Sequence, residues 1–134
     1  MKFSAKARYG LRAVYELGKN YENSETPISN SKLAVLTRVS EPYLEKIMST
    51  LKKHKIVVSK QGLNGGYVLN AHPKDLTLGR ILTALEGSLY TSDCVEKNCP
   101  HTNCPNKTVF NYIYQTINQT LDQMTLLDIL NKKF

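Results

Sequence analysis

Residues 40–70, SEPYLEKIMSTLKKHKIVVSKQGLNGGYVLN, constrain the fold more than any other part of the chain. Leu44, Ile47, Met48 and Leu51 recur at the spacing that lines one face of an α-helix. Ser40 is suited to cap that helix, and Pro42 is tolerated in its first turn, where a backbone N–H would lack an intrahelical partner. At 100° per residue, Pro42, Glu45, Lys46, Ser49 and Lys53 fall on the opposite face. Two short β-type runs follow at once, Ile56 to Ser59 and Tyr67 to Leu69, separated by the glycine-rich QGLNGG. This spacing predicts a β-hairpin. A shorter helix is expected just upstream, capped by Ser29 or Asn30, with Leu33 and Leu36 inward and an end near Thr37–Val39. Short helix, tight connection, second helix and hairpin together make a winged helix-turn-helix.

The remaining segments fit around that unit. Residues 5–19 read as a helix capped by Ser4, with Leu11, Val14, Tyr15 and Gly18 on one face and Lys6, Arg8 and Arg12 elsewhere. The polar stretch 20–27 reads as a loop. A further helix is expected from Thr77, with Leu78, Ile81, Leu82 and Leu85 inward and Gly87 at its end. After residue 105, Val109, Ile113, Ile117, Leu121 and Met124 mark a long amphipathic helix, and TLLD (125–128) reads as a capping box opening a short last helix. A stripe of that length needs an apolar cover. The same helix of a second subunit supplies one and gives a symmetric dimer; folding back onto its own domain is the alternative. The expected fold is therefore mainly α with a small β-hairpin wing. It divides into a winged helix-turn-helix DNA-binding domain (1–87), a cysteine-rich loop (88–105), and a dimerisation helix with a short C-terminal helix (106–134).

Charge points to the partner. The chain carries a formal +7 at pH 7. Residues 1–60 hold 12 Lys+Arg against 5 Asp+Glu, whereas residues 61–134 hold 6 of each. A basic excess confined to the half with the helix-turn-helix suggests double-stranded DNA; a basic face kept for solubility is the alternative. In the wing, Lys60, Gln61 and Asn64 can donate hydrogen bonds to phosphates or bases, and the glycines permit close approach. No stretch nears the roughly 20 apolar residues that span a bilayer, and Arg8, Arg12 and Glu16 interrupt the N-terminus as a secretory signal. A cytoplasmic location is expected, with no membrane partner. Phosphate-cradling, dinucleotide and nucleophile-elbow motifs are missing from the sequence, and His54, His72 and His101 have no evident acid–base partners, so an enzyme is not expected.

All three cysteines, Cys94, Cys99 and Cys104, lie in CVEKNCPHTNCP (94–105). Three cannot pair within one chain, and in a reducing compartment such a group favours metal binding or redox sensing. A four-coordinate site needs one more donor. His101 is in the loop but only two residues from Cys99, and Asp93 and Glu96 offer oxygen. A zinc knuckle of Cys94, Cys99, His101 and Cys104 and a set of unmetallated thiols are both compatible with this spacing.

The chain resembles the Rrf-two family of bacterial winged-helix repressors, with its IscR, NsrR and CymR branches. The marks are the opening MKFSAKARYGLRAV, the segment VSEPYLEKIMSTLKK, the wing QGLNGGYVL, the following TLGRILTALEG, the three-cysteine loop and the closing TLLDIL. The resemblance implies a homodimeric repressor on palindromic promoter DNA. It places base-edge and phosphate contacts at Ser40, Pro42, Tyr43, Glu45 and Lys46. It also implies that Cys94, Cys99 and Cys104 hold a two-iron or four-iron iron–sulfur cluster that tunes DNA binding, which sets the chain nearest the IscR branch. Three departures stand out. Gln61 occupies the place of a wing arginine. Lys107 and Arg8 occupy the places where the IscR and NsrR branches keep a fourth cluster ligand, and neither side chain suits a metal. A four-iron cluster on three cysteines would leave one iron open to oxygen, nitric oxide or another small ligand.

Overall fold

The structure, a computed structural model, describes residues 2–23, 26–96 and 99–134. Parts of the 20–27 and 88–105 loops, at 24–25 and 97–98, lie outside the described residues. Among the described residues, seven α-helices and one hairpin follow in order: α1 (Ala5–Lys19), α2 (Asn30–Thr37), α3 (Glu41–Lys53), β1 (Val57–Lys60), β2 (Gly66–Leu69), α4 (Leu78–Glu86), α5 (Asp93–Glu96), α6 (Pro105–Gln123) and α7 (Leu126–Leu130). The architecture is mainly helical with a two-stranded antiparallel hairpin, a winged helix-turn-helix carrying a long C-terminal helix.

Local chemistry accounts for the helix starts. The Ser4, Ser29, Ser40 and Thr77 hydroxyls each accept a backbone N–H three residues on, at Ala7, Lys32, Tyr43 and Arg80. These bonds satisfy donors that a helix's first turn otherwise leaves open. At α7 the Thr125 hydroxyl accepts from the Asp128 N–H while the Asp128 carboxylate accepts from the Thr125 N–H, a reciprocal capping box. Between α2 and α3, Arg38 takes the left-handed conformation (φ 60°) that turns the chain.

α1 is the centre of the domain and packs against α2, α3, α4 and α7. Its buried face is Ala7, Gly10, Ala13, Val14, Leu17 and Gly18. Of the expected face, Val14 and Gly18 are buried, but Leu11 and Tyr15 are only half-buried. The reason is close approach: a methyl on Gly10 would lie 2.6 Å from the Leu85 side chain. Small residues make the seam, and a reading weighted by side-chain size rotates the helix. In α2, Leu33 is buried as expected, but Ala34 and Thr37 take the inward places and Leu36 is half-buried. The Thr37 hydroxyl is satisfied by donating to the Leu33 carbonyl at 2.7 Å. In α3, the buried residues are the expected Leu44, Ile47, Met48 and Leu51.

The hairpin pairs Val57 with Leu69 through Lys60 with Gly66. It gains a third edge that sequence reasoning missed, a bridge in which Ile28 and Tyr67 exchange backbone hydrogen bonds at 3.1 and 2.8 Å. The C-terminal segment is tied in by a second bridge. Leu78 N–H donates to the Met124 carbonyl and Leu126 N–H to the Leu76 carbonyl. Leu121 and Leu126 consequently enter the same core as α1, α3 and α4. The other end of α6 stays uncovered in the single chain, with Val109 55% and Ile113 38% exposed.

Candidate DNA-reading surface and cysteine loop

Because Leu44, Ile47, Met48 and Leu51 pull one side of α3 into the core, its other side faces solvent. Pro42, Glu45, Lys46 and Ser49 line one shallow depression on that side. Lys53 is exposed in the last turn, one turn beyond Ser49 on the same row. Ser40 is exposed, but its hydroxyl oxygen is engaged in the cap, accepting from Tyr43 N–H at 3.4 Å. Tyr43 is half-buried, and its ring meets Tyr9 of α1 edge-on with centroids 6.2 Å apart. The Arg8 guanidinium lies 5.8 Å from the Tyr9 ring centroid, so a cationic and aromatic stack leads from α1 to the start of α3.

The wing stands beside this surface, with β1 packed on α3. Lys60, Gln61 and Asn64 are all exposed at its tip. Glu45 couples the two elements: burial, and then the Glu45 charge, push the Tyr67 hydroxyl above its ordinary pKa. Sequence reasoning missed the hollow between the wing tip and the start of α2, lined by Pro27, Ser29, Lys32, Leu63 and Asn64. The Ile28–Tyr67 bridge creates it, and a loop-to-strand bridge has no periodic signal in a sequence.

The cysteine loop is built differently from the continuous loop expected. Cys94 lies on the short α5, Cys99 in the chain beyond it, and Cys104 is the N-cap residue of α6, where its side chain accepts no capping bond. All three are free and partly exposed, and His101 is exposed. Among the described residues, no three His, Cys, Asp or Glu side chains gather at metal-binding range. The donors have the right chemistry for an iron–sulfur group, three thiols in one short segment, but in this conformation they are not assembled. α6 anchors the loop: Tyr90 stacks on Tyr114 at 5.3 Å, and the Thr91 hydroxyl donates to the Phe110 carbonyl. At the loop's other root, Glu86 closes α4 and accepts from the Ser4 N–H at 2.7 Å and from the Ser4 hydroxyl. The helix that leads into the loop is therefore joined at its end to the N-terminus of α1.

Comparison with known proteins agrees with this geometry. The family described as Rrf2, iron-dependent transcriptional regulator, matches residues 3–132. The HTH-type transcriptional regulator CymR of Bacillus subtilis is 35% identical over 129 residues, spanning 96% of this chain and 89% of that protein. Among solved structures, that of CymR (YrzC), the global cysteine regulator of B. subtilis, superposes with a TM-score of 0.83 at 33% identity, covering 98% of both chains. T. potens IscR superposes with a TM-score of 0.81 at 32% identity, covering 100% of this chain and 89% of that one. These near-equal values do not single out the IscR branch. No helix among the described residues is long and apolar enough to cross a membrane. With a winged helix-turn-helix fold and a family match along nearly its full length, the chain belongs to the Rrf2 family of winged helix-turn-helix, DNA-binding transcriptional regulators and is not an enzyme.

Proposed function

We propose that this protein is a cytoplasmic promoter-binding repressor, active as a homodimer on palindromic DNA, whose affinity is tuned by an iron–sulfur cluster on Cys94, Cys99 and Cys104. The observation that carries the reading is α3: one face wholly buried, the other a polar row beside a glycine-tipped wing. That row fits a major groove. Lys46 reaches a guanine edge or a phosphate, and Glu45 accepts from a cytosine amino group and repels other bases. Ser49 and Lys53 continue along the groove. The Ser40 hydroxyl, its oxygen held by the cap, retains its hydrogen for a phosphate. Tyr43, set by Tyr9, positions the first turn. Lys60, Gln61 and Asn64 hold the adjoining backbone. In this scheme residues 1–87 read DNA, 88–105 sense, and 106–134 dimerise through the exposed Val109 and Ile113.

The three thiols supply the donors, and the cluster when bound supplies a reducible iron centre that exchanges ligands. Cys94 on α5 and Cys104 at the start of α6 would hold it together with Cys99, on a segment that follows α4, whose last residue Glu86 is bound to Ser4 of α1's cap. Lys107 and Arg8 offer no fourth donor. A second reading has a specific observation behind it: the cysteines stand apart, partly exposed and free, as suits cluster-free thiol sensing, and a relative of equal likeness is described as a cysteine regulator. A structural zinc site completed by His101 belongs to the same alternative. Anaerobic purification with iron, sulfide and zinc quantitation separates them, followed by DNA binding of cluster-loaded and cluster-free protein at fixed salt. Iron with sulfide and a changed affinity supports the cluster reading. Equal affinity of the two forms sinks it, and stoichiometric zinc replaces it.

A further inference from the structure

Leu63 is the most exposed large hydrophobic residue among the described residues, at 107% of its reference area. It stands at the apex of the wing. Gly62 (φ 112°) starts the turn and its carbonyl accepts from the Gly65 N–H at 3.0 Å, which leaves Leu63 and Asn64 as the two central residues. Backbone geometry alone therefore shapes the tip, and the Leu63 side chain adds nothing to the core. A leucine wholly in water adds no burial energy to the free protein, which leaves the side chain available to a bound partner. The hollow between the tip and the start of α2 is lined by Ser29, Lys32, Asn64 and Leu63, polar groups beside the exposed leucine. A phosphate held by Lys32 in that hollow would lie beside Leu63. The tip residues Gln61, Leu63 and Asn64 are uncharged, so they are not equipped for the electrostatic reading of a narrow groove that arginine performs.

We propose that Leu63 enters the minor groove flanking the α3 contact and reads it by shape, with Lys32 pinning the adjoining phosphate. Apolar side chains are used in this way against minor-groove floors and base steps. The guanine 2-amino group is the one minor-groove substituent that distinguishes G·C from A·T, and it occupies the space that Leu63 needs. The proposal rests on the wing as the second DNA contact.

The test begins with a high-affinity duplex selected from a random pool by the wild-type protein. Its flanking pairs are then set to A·T, to inosine·C, which lacks the 2-amino group, or to G·C. Wild type is expected to bind the first two alike and the third about tenfold more weakly, the scale of one unfavourable base pair. Leu63→Ser is expected to lose about tenfold on A·T flanks, to bind all three duplexes equally, and to keep the wild-type salt slope. Its thermal midpoint should not move, because the side chain packs on nothing. Lys32→Ala should weaken all three equally and lower the salt slope by about one. A Leu63→Ser protein with wild-type affinity and wild-type flank preference overturns the proposal. Wild-type affinity and salt slope in Lys32→Ala overturn the docking of the wing beneath it.

Discussion

Gly66 shows how a single missing side chain positions the wing. A methyl group there would overlap the Ile28 carbonyl, the acceptor of the bridge that joins the wing to the start of α2. Gly66→Ala should cost roughly 1–3 kcal/mol in urea unfolding and loosen DNA binding beyond that loss, because the wing must swing away to make room. Asp128 makes a pH-dependent contribution. The Thr125 N–H, then the Thr125 hydroxyl, hold its carboxyl below the ordinary carboxylate range. The unfolded chain therefore takes up this proton first as pH falls, so the stabilisation is complete above about pH 4 and is lost as pH drops through the lower folded value. The thermal midpoint of wild type should exceed that of Asp128→Asn at pH 7, with the difference shrinking only below about pH 4. A constant difference down to pH 2 would show that the capping box is not the source.

At the scale of elements, two of the helices are joined end to end. α4 ends in a carboxylate, which its own dipole disfavours. The Ser4 N–H and hydroxyl, at the positive end of α1, offset that. Ser4→Ala should cost about 1 kcal/mol as a lost N-cap. In a double-mutant cycle with Glu86→Ala the two should couple by roughly 0.5–1 kcal/mol, measured by denaturant unfolding; strict additivity would mean that the pair is independent. Helix starts and α3 were legible because capping and the period of 3.6 are local signals. The inward faces of α1 and α2 were misread in part because Ala, Gly and Thr contribute little to a hydrophobic pattern, though they decide how closely helices approach. α5 was missed because four residues have no period.

For the whole molecule, α6 is divided. Its C-terminal end is fastened into the core by Leu121 and the Thr77–Thr125 bridge, while Val109 and Ile113 remain exposed. Val109→Glu with Ile113→Glu should leave the fold intact, convert the proposed dimer to monomer by sedimentation equilibrium, and lower affinity for a two-half-site duplex about a hundredfold through lost avidity. A variant that stays dimeric would place the subunit interface elsewhere. Folding back thus holds for the C-terminal end of the stripe, where Leu121 joins the core, and cover by a partner is the proposal for the exposed end.

By itself, the sequence determined the longer helices and the capped α7, the hairpin, the α3 face that meets solvent, the basic half and the position of the three thiols, because each depends on neighbours within a few residues. Tertiary structure decided the rest: the small-residue seam around α1, the bridges at Ile28 and Thr125, the aromatic contact that sets Tyr43, and the placing of Cys94 on α5 and Cys104 at the start of α6. Those depend on which distant segments meet, and only packing a whole core settles that.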